Sequence, residues 1–494
     1  MEKERVLAVD LGASGGRCML AELEDDRIAL TEVHRFSNDP VTVSGTMYWD
    51  VLRLFYEIKQ GMGKAREAGG FRAVSVDTWG VDFGLLDEDG KLLENPVHYR
   101  DSRTQGAAQK SFALLKKEEL YRHTGNQIMD INTAFQLLAL KWQRPALLKR
   151  AASLLLMPDL FHYFLSGEKK TEVSIASTTQ LYDAIQKDWS REVLKAYGIR
   201  EELLPKVCPC GTVIGRLSED IQTELGLAPA EVIAGAGHDT QCAMAAVPAK
   251  EADFIFISCG TWSLFGTETD APMMDEKAYD YNLTNEQGVG GKISFLKNVI
   301  GLWLIQESRR QWMREGKEYS FGQLEEMAEK EEAFRCFIDP DDPLFTPAGN
   351  LPERIREYCK KTGQRAPETV GQIVRCIDES LALKYRCCKA EIEDCTGKEY
   401  RKIYLVGGGA QSGLLCRMTA QACGCRVIAG PVEATALGNA AVQFLALGLI
   451  ESPEQIRRVI RNSADIAVYE PGEERQGWDD AYRRFRQLSE EKGR

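Results

Sequence analysis

Val6-Leu-Ala-Val-Asp10-Leu-Gly-Ala-Ser14-Gly-Gly-Arg17-Cys-Met-Leu-Ala-Glu22 reads as an apolar run, a turn of small residues and a second apolar run. The pattern predicts a buried strand, a hairpin link and a returning strand, with Ile28 to Phe36 continuing the meander. Gly15 and Gly16 are the hairpin signal, because both tolerate positive φ. Small residues at such a turn let backbone amides approach an anion closely, although an ordinary glycine-rich hairpin carries the same letters. Asp10 closes the first run inside what reads as core. An isolated buried carboxylate is costly there unless it meets a metal or a donor.

The same logic returns in the second half of the chain. Phe254-Ile-Phe-Ile-Ser258 predicts a strand, Cys259-Gly-Thr-Trp-Ser263 a turn and Leu264-Phe-Gly-Thr-Glu268 a returning strand. Phe71 to Asp77 runs into Thr78-Trp-Gly-Val-Asp-Phe83, and Tyr404-Leu-Val406 into Gly407-Gly-Gly-Ala-Gln-Ser412. Three glycines between a strand and a helix suit phosphate or adenosine, since the helix start adds positive potential. The letters match neither G-x-x-x-x-G-K-[ST] nor G-x-G-x-x-G, which disfavours a P-loop NTPase and a Rossmann dehydrogenase. Two echoing halves imply an α/β chain of two domains, 1–247 and 248–494, flanking a cleft. Within the second half, Lys297 to Gln306 is expected to begin a helix carrying Asn298 and Gln306 on its polar face. Glu368 to Cys395 is expected to form a long helix.

Val232-Ile-Ala-Gly-Ala-Gly-His238-Asp-Thr240 predicts a strand, a tight loop and a helix of small residues up to Ala246. Asp239 has two readings here. It caps the helix, which the stretch alone favours, or it takes a proton from a bound hydroxyl. His98 to Thr104 is dense in polar groups that suit a polyol, and Trp79 beside Gly80 offers an apolar wall next to an approachable backbone.

With 44% hydrophobic and 28% charged residues and a net charge of −12, composition is that of a soluble globular protein without a basic field. Nucleic acid and anionic membranes are therefore not expected as partners. Neither a secretory signal nor an apolar stretch of membrane-spanning length is visible, so the expected compartment is the cytoplasm. The 14 cysteines show no paired C-x-x-C spacing and are expected to be reduced, with no disulfide and no structural metal. His34, His98, His123 and His162 have no metal-ligand spacing and read as structural.

Ten strings in this order resemble the FGGY carbohydrate kinases nearly end to end. They are Val9-Asp-Leu-Gly-Ala-Ser14, Asp77-Thr-Trp-Gly-Val-Asp-Phe83, Tyr99-Arg-Asp-Ser-Arg-Thr104, Leu156-Met-Pro-Asp159 and His238-Asp-Thr240 in the first half. The second half adds Ser258-Cys-Gly-Thr-Trp-Ser263, Lys297-Asn298, Gly301-Leu-Trp303, Val406-Gly-Gly-Gly409 and Ala429-Gly-Pro-Val-Glu-Ala434. The resemblance implies two ribonuclease H-like domains of the actin/hexokinase-type ATPase fold. It implies ATP-dependent phosphorylation of the 1-hydroxyl of a ketose, L-rhamnulose first, with L-fuculose or L-xylulose as the alternative.

Carried over residue by residue, the resemblance makes Asp239 the general base, with Gly80, His238, Thr240 and Asn298 on the ketose. Ala13, Ser14, Gly15, Gly16 and Arg17 would lie under the nucleotide phosphates. Thr261, Gln306 and Gly408 would bind ATP from the second domain, and Asp10 would orient Mg²⁺. Relatives often have Ser where this chain has Gly15, which loses a hydroxyl and keeps the backbone amide. A hydroxyl mismatch is expected to register at Trp79, Asp82 and Asn298. The expected partners are the ketose and ATP alone, in a monomer or weak homodimer. A rival reading, a sugar-responsive regulator of the actin-like ATPase class, is disfavoured by the retention of Asp10 and Asp239.

Overall fold

The computed structural model describes residues 4–472 and 475–490. The first run forms β1 (Glu4–Gly12), which pairs antiparallel with β2 (Gly15–Glu24), and β2 with β3 (Arg27–Ser37). Ala13 and Ser14 make the turn, and Gly15 and Gly16 lie within β2, paired with Gly12 and Leu11. The expectation of a positive-φ Gly-Gly turn is thus corrected: neither glycine has a positive φ. Gly16 is required by packing, since a Cβ there would sit 2.4 Å from the ring of Phe36 and 2.8 Å from Leu11. Asn38 secures the turn, its amide N–H donating to the Ser14 carbonyl and its Nδ2 to that of Gly12.

β4 (Ala73–Thr78), β5 (Thr212–Arg216) and β6 (Glu231–Ala234) complete a six-stranded sheet in the order β5-β6-β4-β1-β2-β3. β4 runs parallel to both β1 and β6. All of β4 is buried, which accounts for its near-continuous apolar letters. Helix Val51–Glu67 covers β2 and β3 and is capped by Asp50, whose carboxylate accepts from Arg53 N–H at 3.2 Å. A second apolar cluster, including Phe135, Leu138, Leu156, Ile175 and Tyr197, gathers the helices between residues 107 and 204.

The compact units do not follow the chain simply. One comprises residues 1–250, 268–295 and 434–464, the other 251–267, 296–433 and 465–494. Helix Ala434–Ala446 therefore belongs to the first unit, where it packs on β1, β4 and helix Asp239–Ala245. Gly438 sits at that helix crossing, and a Cβ there would lie 1.8 Å from the carbonyl oxygen of Cys242.

In the second unit, β7 (Ile255–Cys259) pairs antiparallel with β8 (Trp262–Thr269) and parallel with β9 (Lys402–Val406). β10 (Arg426–Ala429) and β11 (Ala467–Tyr469) extend the order β8-β7-β9-β10-β11. The sequence β8-β7-β9 repeats β2-β1-β4, a hairpin whose inner strand pairs parallel with a third. Val370–Thr396 is a single helix of 27 residues, as its periodicity predicts. Asn298 departs from expectation. It lies in the strand Ile293–Ile300, and the helix begins only at Trp303, because β-branched and aromatic residues favour extension up to Gly301. No helix among the described residues is long and apolar enough to cross a membrane.

Candidate active site

Asp10 and Asp77 are register partners on parallel β1 and β4, and Arg17 faces Asp10 from β2. Both apolar runs thus end in a carboxylate at the same edge of the sheet. In open α/β sheets the carboxyl ends of parallel strands are where ligands bind. The Arg17 guanidinium donates to Asp10 Oδ2 at 2.6 Å. Asp77 Oδ2 accepts from Asn439 Nδ2 at 2.6 Å, while its Oδ1 is buried without a partner among the described residues. Burial, with the Asp10 and Asp239 charges added, holds the Asp77 carboxyl well above the usual range.

The loop after β6 reaches the same place. Thr78 N–H donates to the Gly237 carbonyl at 2.9 Å, and His238 makes an isolated parallel bridge to Thr78. Gly80 is the neighbour of His238: a Cβ on it would lie 3.5 Å from His238 Nε2. From below, Glu172 fixes the loop. Its carboxylate is fully buried and accepts from the N–H groups of Gly237 (2.8 Å), Ser174 (2.8 Å) and Ile175 (3.1 Å). It also accepts from the Cys210 thiol at 2.9 Å, and the Ser174 hydroxyl accepts in turn from His238 N–H at 3.1 Å.

His238, not Asp239, occupies the N-cap of helix Asp239–Ala245, and Asp239 is its first residue. His238 Nδ1 lies 2.9 Å from Glu286 Oε2, which also accepts from Gln241 Nε2 at 3.0 Å. On the other side, His238 Nε2 lies 3.4 Å from Asp239 Oδ1. Burial would lower the His238 pKa, but the Glu286 carboxylate and its hydrogen bond, with Asp239, raise it to about 9. Burial pushes Asp239 up to about 6, against the pull of His238. The donors from Thr240 (N–H at 2.6 Å, hydroxyl at 3.3 Å) converge on Asp239 Oδ1. No protein donor among the described residues reaches Oδ2, and the side chain is 30% exposed. A carboxylate held by one oxygen and open at the other is equipped to receive a hydroxyl proton.

The wall beside Gly80 is built from Trp49, Trp79 and His98, with ring centroids 4.0 Å apart from Trp49 to each neighbour. Asp82 does not offer this wall a free acceptor. Its oxygens take the indole N–H of Trp49 (2.6 Å) and Trp79 (3.0 Å), Tyr99 N–H (3.2 Å) and Gln136 Nε2 (2.8 Å). Asp82 thereby sets the wall's shape. Between them, Val81 has φ +67°, rare for a β-branched residue. Thr178, donated to by Val81 N–H, and Thr133, donating to the Val81 carbonyl, hold it there.

In the second unit, the turn between β7 and β8 carries Thr261, whose hydroxyl donates to Gln306 Oε1 at 3.3 Å. Thr261 and Gly260 carbonyls accept from Gly301, Leu302 and Trp303 N–H groups, seating the turn on the helix start. The Gly407–Gly409 loop lies against the end of β7, where a Cβ on Gly409 would meet the Cys259 sulfur at 2.2 Å. Gly407 has φ +83°, and Gly408 is exposed. Thr261, Gln306 and Gly408 therefore share the carboxyl end of two parallel strands, and Asn298 is carried on its own strand. Sequence reasoning missed Glu172, Glu286, Asn439 and the strain at Val81. For Asp77 a signal existed, since Val74-Ser-Val-Asp77 ends as Leu7-Ala-Val-Asp10 does.

The model of the N-terminal domain of the FGGY family of carbohydrate kinases matches residues 5–246, and that of the C-terminal domain matches residues 255–447. The chain belongs to the FGGY family of carbohydrate kinases. It is a sugar kinase with the two-domain, actin/hexokinase-like fold of that family, and ATP is its implied phosphoryl donor. The rhamnulokinase of Halalkalibacterium halodurans is 44% identical over 94% of this chain and 98% of its own. That of Bacteroides thetaiotaomicron is 41% identical over 98% and 99%. The ligand-bound xylulose kinase from Lactobacillus acidophilus superposes with a TM-score of 0.80 at 17% identity, covering 99% and 98% of the two chains. The glycerol kinase of Plasmodium falciparum with ADP does so with a TM-score of 0.77 at 15% identity, covering 99% and 98%. Such low identity speaks for the fold alone.

Proposed function

We propose that this kinase transfers the γ-phosphoryl group of ATP to the 1-hydroxyl of L-rhamnulose, with Asp239 as general base. Identity of 44% to a rhamnulokinase over nearly its whole length is the observation that carries the choice of sugar. Asp239 Oδ2 receives the hydroxyl proton as the oxygen attacks phosphorus, and Oδ1 stays anchored to Thr240. The His238 imidazolium, clamped by Glu286, keeps a positive charge beside that carboxylate and favours its ionised form. Gly80, His238, Thr240 and Asn298 are assigned to the ketose, Ala13–Arg17 to the phosphates, and Thr261, Gln306 and Gly408 to the nucleotide.

The residues present fit a magnesium ion. Asp10, Asp77 and Asp239 interact electrostatically, and Asp10, whose side chain keeps 8% of its surface open at the strand end, offers hard carboxylate oxygens of the kind Mg²⁺ takes. Asp10 is the residue assigned to hold it. When bound, the ion neutralises charge building on the β- and γ-phosphates. Arg17, paired to Asp10, keeps that carboxylate aimed along the strand end.

A coupled ADP-release assay over a ketose panel tests the sugar. The expected result is a kcat/KM for L-rhamnulose at least about tenfold above L-fuculose and L-xylulose. Preference for one of those two makes the chain a sibling kinase, and no ketose-dependent ADP release overturns the reading altogether.

The pH profile tests the base. The ionised form of Asp239 is lost as pH falls through about 6, and the His238 charge as pH rises through about 9. kcat/KM is therefore expected to decline tenfold per unit below the first value and to bend down again near the second. Glu286→Gln removes the carboxylate that raises His238, so the alkaline limb moves down by about one unit or more. An alkaline limb left in place separates His238 from the reaction.

A further inference from the structure

Three cysteines remote in sequence converge in the second unit. Cys336 follows an irregular segment, Cys359 lies on helix Leu351–Lys361 and Cys376 on helix Val370–Thr396. Their sulfurs all lie within 4.8 Å of one another, and the residues are 0–2% exposed. Among the described residues no other group of three His, Cys, Asp or Glu side chains is disposed in this way.

The scaffold that presents them is fixed on every side. Glu379 accepts from Phe334 N–H at 2.9 Å, and Ser380 Oγ accepts from Ile338 N–H at 3.0 Å. Gln364 accepts from Phe337 N–H and donates to the Phe337 carbonyl, both at 2.8 Å. The neighbouring Glu379 is also paired with Arg375, at 2.8 Å. The Arg335 side chain is only 7% exposed, and its Nε is buried without a hydrogen-bond partner among the described residues. Arg335, next to Cys336 in the chain, is a largely buried cation that pairs loosely with Glu332 and Glu368 (3.9 and 3.6 Å) and donates to the Ala366 carbonyl.

We propose that Cys336, Cys359 and Cys376 form a three-thiolate site for a thiophilic divalent cation of the zinc class. A cation centred among sulfurs no more than 4.8 Å apart lies at most about 2.8 Å from each, so shifts of about half an ångström or less reach the ~2.3 Å zinc–thiolate distance. Each thiol gives up its proton to solvent as its sulfur lone pair binds the metal, leaving one net negative charge on the site and no change of oxidation state. No histidine belongs to the converging group. The bound ion would tie the two helices to the 336–338 segment. The site is independent of the phosphoryl-transfer reading, since it uses none of the residues assigned to it.

The test uses the full chain purified under reducing conditions. Zn²⁺ alone is titrated, with Cd²⁺ as a spectroscopic substitute whose thiolate charge-transfer band reports binding. The expected result is one equivalent bound, a raised unfolding midpoint and loss of the band in Cys336→Ala, with the band retained in Cys387→Ala. Alkylation under partly denaturing conditions, read by peptide mapping, needs no variant: Zn²⁺ should slow labelling of these three thiols relative to the other cysteines. Absence of stoichiometric binding, a band undiminished in Cys336→Ala, or a disulfide among the three in freshly trapped protein overturns the proposal.

Discussion

Replacing Asp239 by asparagine is expected to lower kcat about 10³-fold, within the range general bases supply, while the KM for the sugar changes only a few-fold. Asparagine is nearly isosteric. Its amide oxygen still accepts from Thr240 N–H, so the loop and the helix start keep their shape. What is lost is the basic Oδ2, which the structure leaves free of protein donors while Oδ1 is held. The thermal midpoint should stay close to wild type or rise, because a carboxylate whose pKa burial has raised is costly to keep ionised. Steady-state kinetics on the preferred ketose, with thermal unfolding in parallel, checks both arms. Near-normal turnover in a folded variant would remove Asp239 from the mechanism.

Gly438→Ala is expected to produce the largest loss of stability of any single methyl group added to the chain. The new Cβ would stand 1.8 Å from the Cys242 carbonyl oxygen, an atom of helix backbone that no side-chain rotation can move. Helices Ala434–Ala446 and Asp239–Ala245 must separate, and overpacking of this kind costs about 3 kcal/mol or more. Asn439 and Gln443 ride on the displaced helix. Their bonds to Asp77 Oδ2 and to the Leu7 carbonyl would loosen with it, so residual folded protein should also lose activity. Denaturant titration of the variant against wild type measures the first effect, and turnover of the folded fraction the second. An unchanged midpoint would mean that the two helices pack less closely than described.

The echoing strand–turn–strand units were legible because hairpins and buried strands leave local marks. So was Asp239, standing where an apolar run yields to a helix. The reading failed where long-range packing chose between local options. At Gly15-Gly16 the letters signal a turn, yet Phe36, paired with Gly16 from β3, demands a residue without a side chain inside the strand. Asn298 was placed on a helix because Lys297 to Gln306 has some helical spacing, but Gly301 separates a strand from that helix. Glu172 and Glu286 act on Gly237 and His238 across 65 and 48 residues, a relation no periodicity encodes. The three thiols at 336, 359 and 376 were invisible for the same reason, since no short spacing marks them.

Helix Ala434–Ala446 also imposes an order on biosynthesis. The first unit needs residues up to 464, whereas its leading segment ends at residue 250. At typical ribosomal rates of about 5–20 residues per second, more than two hundred intervening residues take roughly 10 to 40 s to appear. Through that interval β1 and β4 stand without the helix that covers them, and the carboxylate of Asp77 lacks Asn439. The nascent N-terminal half is therefore an unfinished domain until residue 464 is made, and the second unit, whose own last segment begins at residue 465, is completed only after it.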